Sequence, residues 1–405
     1  MAWAERGAWL LAVLLAAATW PAHAARVPAA RHPAAAARQG LSVGANGQLL
    51  LDGRPFRGVG VNDFSLFSRL LADPTSTAYI RGLRQLQLHH IPFVRFMATG
   101  FWPDDLKLLQ AHPHAYWGLM RRVVQQAQRD RIGLIPDFFW RSSTVPDLVG
   151  EPRDQWGNPH SKTIRFMRNY VAQFVLRFDR SPAIWGYEFG NEYNLATDLP
   201  NWRSHAPAVS PVHGTPATRT RADRLTSTEL VVAYKAFAEE IRQFDPSRII
   251  ESGGSLDRIS AWHQKYRDSW ASDNARQYAS MLRYLNPKPL DMTSVHVYAG
   301  RKLLPPWRTP GSYLSFVSGL ARANRQPLFI GEFGVPGPAT PASKRAFRSL
   351  LKDVLASGAP LAALWVYDDP RLPRWNARFD NQRAYQLLAV ERADALLRAG
   401  ARSSR

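Results

Sequence analysis

No cysteine occurs among the 405 residues of this chain, so disulfide staples, thiolate metal ligands and a cysteine nucleophile are excluded and stability has to come from the core. Long apolar runs are scarce as well. The candidate at Ala8 to Trp20 is short for a bilayer and is followed at once by the small-residue site Ala22-His-Ala24, which reads as a secretory signal peptide over residues 1–24 and not as an anchor. The protein is therefore expected to be exported, periplasmic or secreted, without stable membrane insertion. Acidic residues are outnumbered, 32 against 52 basic, for a formal charge of +20. Such an excess raises nucleic acid and acidic polymers as partners. No nucleic-acid motif accompanies it, and arginines scattered over helix faces are the simpler account, so nucleic acid is not expected. No glycine-rich phosphate turn follows the first apolar strand, which argues against a doubly wound nucleotide-binding sheet.

What is present is a 45% hydrophobic composition, ample for a large core. Residues 25–40, rich in alanine, arginine and proline, read as a disordered leader, 41–400 as a single domain and 401–405 as a flexible tail. Within the domain, short β-branched or aromatic runs alternate with longer amphipathic segments. The strands are expected at 56–62, 93–97, 133–138, 183–189, 248–252, 293–298, 328–332 and 362–367, each followed by a helical pattern. Eight such units describe an α/β fold of the (β/α)8 TIM-barrel type, with chemistry on the loops at the C-terminal ends of the strands. Before them, Asn46-Gly47 and Asp52-Gly53 lie between apolar residues, the signature of a small N-terminal β-hairpin that could close the barrel floor. The longest connection, 193–226, holds four prolines and two histidines and is the expected wall of any site at the mouth.

Two strings stand out at strand ends: Ile184-Trp-Gly-Tyr-Glu-Phe-Gly-Asn-Glu192 and Phe329-Ile-Gly-Glu-Phe-Gly334. In a barrel, Glu192 ends the fourth strand and Glu332 the seventh, so both reach one mouth, with Arg95 from the second strand, His296 and Tyr298 from the sixth and Trp365 from the eighth. Two carboxyl groups across a sugar ring are the minimal apparatus for breaking a glycosidic bond.

With these anchors in this order, from Phe56-Arg-Gly-Val-Gly-Val-Asn62 and Phe93-Val-Arg95 through Asn191-Glu192 and His296-Val-Tyr298 to Gly331-Glu332-Phe333-Gly334, the chain resembles glycoside hydrolase family 5, the cellulase and mannanase family of the retaining (β/α)8 clan. The resemblance implies that Glu192 is the acid/base and Glu332 the nucleophile of a retaining β-glycosidase. It also implies that Asn191 donates to the sugar 2-hydroxyl, that His296 sits near the scissile bond and that Trp365 floors the cleavage subsite. Arg95 and the Tyr298 phenol would favour the ionised form of Glu332 by charge and hydrogen bonding. Trp140 and Trp102, which follow barrel strands, are candidates for sugar stacking, and Trp156 and Trp202 for reaching substrate from the loops. Pro136-Asp-Phe-Phe-Trp140 departs from the common cellulase pattern, and Trp185-Gly-Tyr-Glu188-Phe-Gly-Asn-Glu192 echoes the mannanase branch, which points to a β-1,4-mannan or a similar β-linked hexose polymer. No cofactor or metal is implied, because the mechanism needs none, and a monomer acting on carbohydrate is expected.

Duller readings compete with each residue. Arg95 could be an ion-pair partner for Glu188, His296 a satisfied core histidine, and Asp137, Asp368 and Asp369 helix caps. At the level of the whole chain, the rivals are a carbohydrate-binding pseudoenzyme and an envelope enzyme that trims or transglycosylates an anionic glycan.

Overall fold

The computed structural model describes residues 39–299, 303 and 305–403. The segments expected as signal peptide and leader lie outside these residues up to position 38, and so do positions 404 and 405 of the expected tail. Positions 401–403 extend the last helix, Ala384–Ser403.

The described chain opens with a three-stranded antiparallel sheet, β1 (Leu41–Val43), β2 (Leu49–Leu51) and β3 (Arg54–Pro55). Asp52 and Gly53 have φ of 51° and 78°, the pair of left-handed residues that a tight hairpin needs. Eight parallel strands follow: β4 (Gly58–Asn62), β5 (Phe93–Met97), β6 (Gly133–Asp137), β7 (Gly186–Glu188), β8 (Ile249–Glu251), β9 (Thr293–Tyr298), β10 (Leu328–Gly334) and β11 (Leu361–Leu364). They pair in the order β8-β7-β6-β5-β4-β11-β10-β9. Asp291 spans the remaining seam, its N–H donating to Ile250 O and its carboxylate accepting from Ile250 N–H, both at 2.8 Å. The result is the (β/α)8 barrel, and every expected strand and helix is found within a few residues of its place.

The strands are buried on both faces, as barrel strands are, because side chains fill the interior and helices cover the outside. The helices carry the matching pattern. In Lys162–Phe178, Ser161 caps the start by accepting from Ile164 N–H at 3.0 Å, and Ile164, Met167, Val171, Phe174, Val175 and Phe178 form one buried face. Arginines recur in last turns, at positions 69, 129, 177, 242, 283 and 322, where the helix dipole favours a cation. Part of the basic excess is thus structural.

The interior is layered. At the floor, Leu41 and Leu49 of the hairpin pack with Phe93, Ile135, Trp185, Ile249, Met292, Phe329 and Leu361, so the hairpin does plug the bottom. Gly133 is obligatory here, since a Cβ on it would lie 2.1 Å from the Trp185 ring. Toward the C-terminal ends the interior turns polar, with Asn62, Arg95, Asp137, Glu188, Glu251 and His296 all fully buried. Among the described residues, no helix is long and apolar enough to cross a membrane.

The last helix is tied to the first barrel strand by Asp394, whose buried carboxylate accepts from Val59 N–H at 2.8 Å. Burial raises the Asp394 carboxyl to about 7. A carboxyl raised on folding holds its proton more tightly in the native state, so the stability tied to it is present below the unfolded value near 4 and is lost as pH rises through about 7. Asp394→Asn is therefore expected to match the wild type near pH 4 and to exceed it by up to roughly 2 kcal/mol near pH 8, read as the difference in Tm across that range. An equal shift at both ends would contradict this account.

Candidate active site

Arg95 organises the mouth from beneath. It is fully buried on β5, and its guanidinium distributes every donor. Nε donates to both oxygens of Glu188 at 2.8 Å, Nη1 to Asn62 Oδ1 at 2.8 Å and to Glu332 Oε1 at 2.9 Å, and Nη2 to Asn191 Oδ1 at 2.7 Å and Asp137 Oδ2 at 3.1 Å. Both readings of Arg95 hold, as partner of Glu188 and as neighbour of Glu332. Burial pushes the Glu188 carboxyl up most strongly, but the Arg95 charge and the hydrogen bonds from Glu251, Arg95 and Asp137 together outweigh it and hold Glu188 at about 2.

Glu332 lies on β10, 4% exposed, with one oxygen on Arg95 and the other accepting from the Tyr298 hydroxyl of β9. Burial, and then the charge of Glu332, push the Tyr298 phenol well above its ordinary range, so it stays a donor. Glu192 follows β7 in a left-handed turn, φ 55°, a conformation a non-glycine residue adopts at some energetic cost and one that recurs at functional sites. Its N–H donates to Gly253 O at 2.9 Å. Gly253 has φ 69°, and a Cβ there would fall 1.8 Å from Gly190 O, so the loop after β8 must pass this close for Glu192 to be held. The Glu192 side chain is 31% exposed and faces the open mouth.

His296, fully buried on β9, places Nδ1 3.0 Å from Glu192 Oε1 and 3.5 Å from Glu332 Oε2. It is no ordinary core histidine, since it spans the two carboxylates. One oxygen of each glutamate and a nitrogen of His296 lie within 4.8 Å of one another. The positive charge that such a trio could draw from a metal ion is already supplied to Glu332 by Arg95.

The aromatics divide. Trp365, half-buried at the end of β11, stacks on Trp140 at 5.8 Å and 27°, and Trp140 also lies 4.6 Å from the Arg95 guanidinium carbon. Trp140 thus supports Arg95 and Trp365 and is itself only 7% exposed. Trp102 is drawn into the wall, where the His213 ring stacks on it at 5.1 Å and the Arg141 guanidinium sits 3.9 Å from its centroid. Its ring is engaged by protein groups, because the 193–226 connection folds back over the loop after β5, His213 also contacting Asp104 at 3.2 Å. Trp156 is fully buried among Phe139, Phe189 and Tyr193, a packing residue that cannot reach substrate. Asp368 pairs with Arg69, and Asp369 with Arg371, both at 2.9 Å.

Some residues at the mouth were not anticipated. Phe64 packs edge-on against Trp140 at 4.7 Å, and Trp375 against Tyr298 at 5.2 Å. Both sit in loops, where no periodicity marks them. Glu251, at the end of β8, stands beside Glu188. Its signal was available, an apolar Ile249-Ile250 run ending in a carboxylate as in the other two strings. A cavity of 730 Å³ between Leu49, Phe56, Arg322 and Leu397 lies at the floor and contains none of these residues.

The family model for cellulase, glycosyl hydrolase family 5, matches residues 139–352. No curated protein sequence matches the chain. Among solved structures, it is similar to the endo-1,4-β-mannanase from Rhizomucor miehei, with TM-score 0.60 and 15% identity over 88% of this chain and 100% of that one. It is similar also to the hyperthermostable endo-1,4-β-D-mannanase from Thermotoga petrophila RKU-1, with TM-score 0.59 and 13% identity over 84% and 100%. A third is the family 5 mannosidase from Rhizomucor miehei, with TM-score 0.59 and 12% identity over 90% and 100%. At these identities the structures establish a shared barrel. The family model spans more than half of the sequence and takes in Glu192, His296 and Glu332, and by that match the chain belongs to glycosyl hydrolase family 5.

Proposed function

We propose that the protein is a retaining β-glycosidase in which Glu332 attacks the anomeric carbon and Glu192 protonates the leaving oxygen. The observation that carries this reading is the spacing of the two carboxylates, with an oxygen of each within 4.8 Å. Retaining enzymes hold the pair about 5–5.5 Å apart, and inverting enzymes about 6.5–9.5 Å, to admit a water. The environments support the division of labour. Glu332 is buried and accepts from Arg95 and Tyr298, which suits a group that must be ionised to attack. Glu192 is the more exposed of the two, which suits a group that must meet a leaving group and later a water. Once the glycosyl-enzyme forms, Glu192 has given up its proton and takes one from the incoming water, so the configuration is inverted twice. Asn191, its Oδ1 engaged by Arg95, would donate from Nδ2 to the sugar 2-hydroxyl, and Trp365 would face the ring at the cleavage subsite.

The substrate we infer is a β-1,4-linked mannan or a similar neutral hexose polymer. The likeness of the fourth strand to mannanases and the mannanase and mannosidase neighbours support it. The test is incubation with a panel of neutral and anionic β-glycans, following the anomer first released by polarimetry or NMR. Products that appear in the β-configuration from a mannan are expected. Release of the α-anomer would overturn the mechanism, and cleavage confined to anionic glycans would overturn the substrate.

A further inference from the structure

Strands β6, β7 and β8 each end in a carboxyl group inside the barrel: Asp137, Glu188 and Glu251. The register makes Asp137 the neighbour of Glu188, and Glu188 the neighbour of Glu251. The three form a row beneath the mouth, all fully buried. Among the described residues one cation touches this row, Arg95, through Glu188 and Asp137, and the same guanidinium also serves Glu332. With every acid ionised, one positive charge would face four negative ones where water has little access. Uncompensated charges so placed are too costly to persist, and such groups take up protons instead.

The hydrogen bonds lead to the same end. Neither oxygen of Glu251, nor Oδ1 of Asp137, has a partner in good hydrogen-bond geometry, although the Ser294 hydroxyl lies within reach of Glu251 and both acids lie within hydrogen-bond reach of Glu188. Two carboxylates are acceptors only, so such contacts become bonds when a proton lies between them.

We propose that Asp137 and Glu251 are neutral acids that donate their O–H groups to the Glu188 carboxylate, forming a three-carboxyl row with a single negative charge that clamps Arg95 and leaves its Nη1 for Glu332. Glu251 and Asp137 are then positioning residues, acting on the reaction through Arg95. Burial, and then the charge of Glu188, push both acids well above the ordinary carboxylate range, with Arg95 opposing. The other groups facing Glu251 are Tyr234 from the helix outside and Ser294 of β9. Those facing Asp137 are Glu332 and Tyr193.

Acids raised on folding favour the native state least at high pH, where the unfolded chain has lost its protons and the row must keep or surrender its own. Glu251→Gln retains a donor toward Glu188 and cannot ionise. Its Tm relative to wild type is therefore expected to rise as pH rises, and the alkaline limb of kcat/KM to move upward. Glu251→Leu removes the donor and leaves Glu188 short of one bond, and is expected to lose about tenfold in kcat/KM, most of it recovered in Glu251→Gln.

Infrared spectra of the ligand-free protein at neutral pH read the protons directly. The carboxylic-acid carbonyl band of wild type should lose the contribution of one group in Glu251→Gln. An unchanged band, or a Tm offset independent of pH, would overturn the proposal. Should Glu251→Gln fail to fold, the Glu192→Gln protein with isotopically labelled glutamate carboxyls carries the test, and absence of any labelled acid band at neutral pH overturns the proposal. The effect on kcat/KM rests on the glycosidase reading. The infrared and thermal measurements use no substrate, so a chain that cleaves no glycan would sink that reading and leave these results intact.

Discussion

Glu332→Gln is expected to abolish turnover, with a loss in kcat on the order of 10⁵ or more, as for removal of a covalent nucleophile in other enzymes. The amide is the same size as the carboxylate and keeps an oxygen for Arg95 or Tyr298, so the fold should survive, and an unchanged Tm would show that chemistry alone was lost. Glu192→Gln is the informative contrast. Loss of a general acid costs about 10²–10⁴, and it should cost much less on an aryl glycoside whose leaving group departs without a proton. On that substrate Glu192→Gln should accumulate the glycosyl-enzyme, seen as a burst followed by a slow phase, because no base remains to activate water. Glu332→Gln should remain inactive on both substrates, since no leaving group replaces a missing nucleophile. A Glu332→Gln enzyme within tenfold of wild type would remove Glu332 from the mechanism, and with it the retaining reading.

The second large effect falls on the fold. Arg95→Met leaves Glu188 and Glu332 without their buried partner and should cost about 3–5 kcal/mol, the usual result of breaking one side of a buried ion pair. Against a total stability of roughly 5–15 kcal/mol, this places the variant near the limit of folding at ordinary temperature. Its pH dependence is distinctive. In wild type, Glu188 is held at about 2, so the stability it contributes is present above the unfolded value near 4 and is lost as pH falls through about 2. Without Arg95 only the hydrogen bonds from Glu251 and Asp137 oppose burial, so the folded carboxyl is expected to rise above its unfolded value and the variant to lose stability as pH rises. The deficit should therefore be largest at neutral pH and shrink toward pH 4, as read from denaturant midpoints. A deficit under about 1 kcal/mol at neutral pH would show that the acids are protonated without Arg95. Arg95→Lys should fall between, because one ammonium cannot reproduce a fork that serves five residues.

The eight strands were legible in the sequence because barrel strands are apolar on both faces and short, and the helices between them have a 3.6-residue period. The two glutamates were legible for a related reason. An apolar run that ends in a carboxylate beside glycine is a strand delivering an acid to a loop, and here it is so for Glu192 and Glu332. The local chain also fixed the hairpin, through the left-handed pair Asp52 and Gly53, and the helix caps, such as Ser161.

Tertiary structure decided everything that depends on register between strands or on how loops fold back. Asp137, Glu188 and Glu251 are 51 and 63 positions apart in succession, and nothing along the chain says that pairing aligns them around Arg95. Trp102 and Trp140 looked alike in sequence, one and the other following a barrel strand. The return of His213 and the guanidinium of Arg141 took Trp102 into the wall, whereas Trp140 came to lie between Arg95 and Trp365. The same holds for the left-handed turn at Glu192, which requires the approach of Gly253 from the next strand. Sequence by itself determined the barrel and which carboxylates reach its mouth, because burial pattern and chain direction are local properties. Structure alone decided which charges face one another and how many of them can be ionised, because these follow from distances between strands and from the exclusion of water.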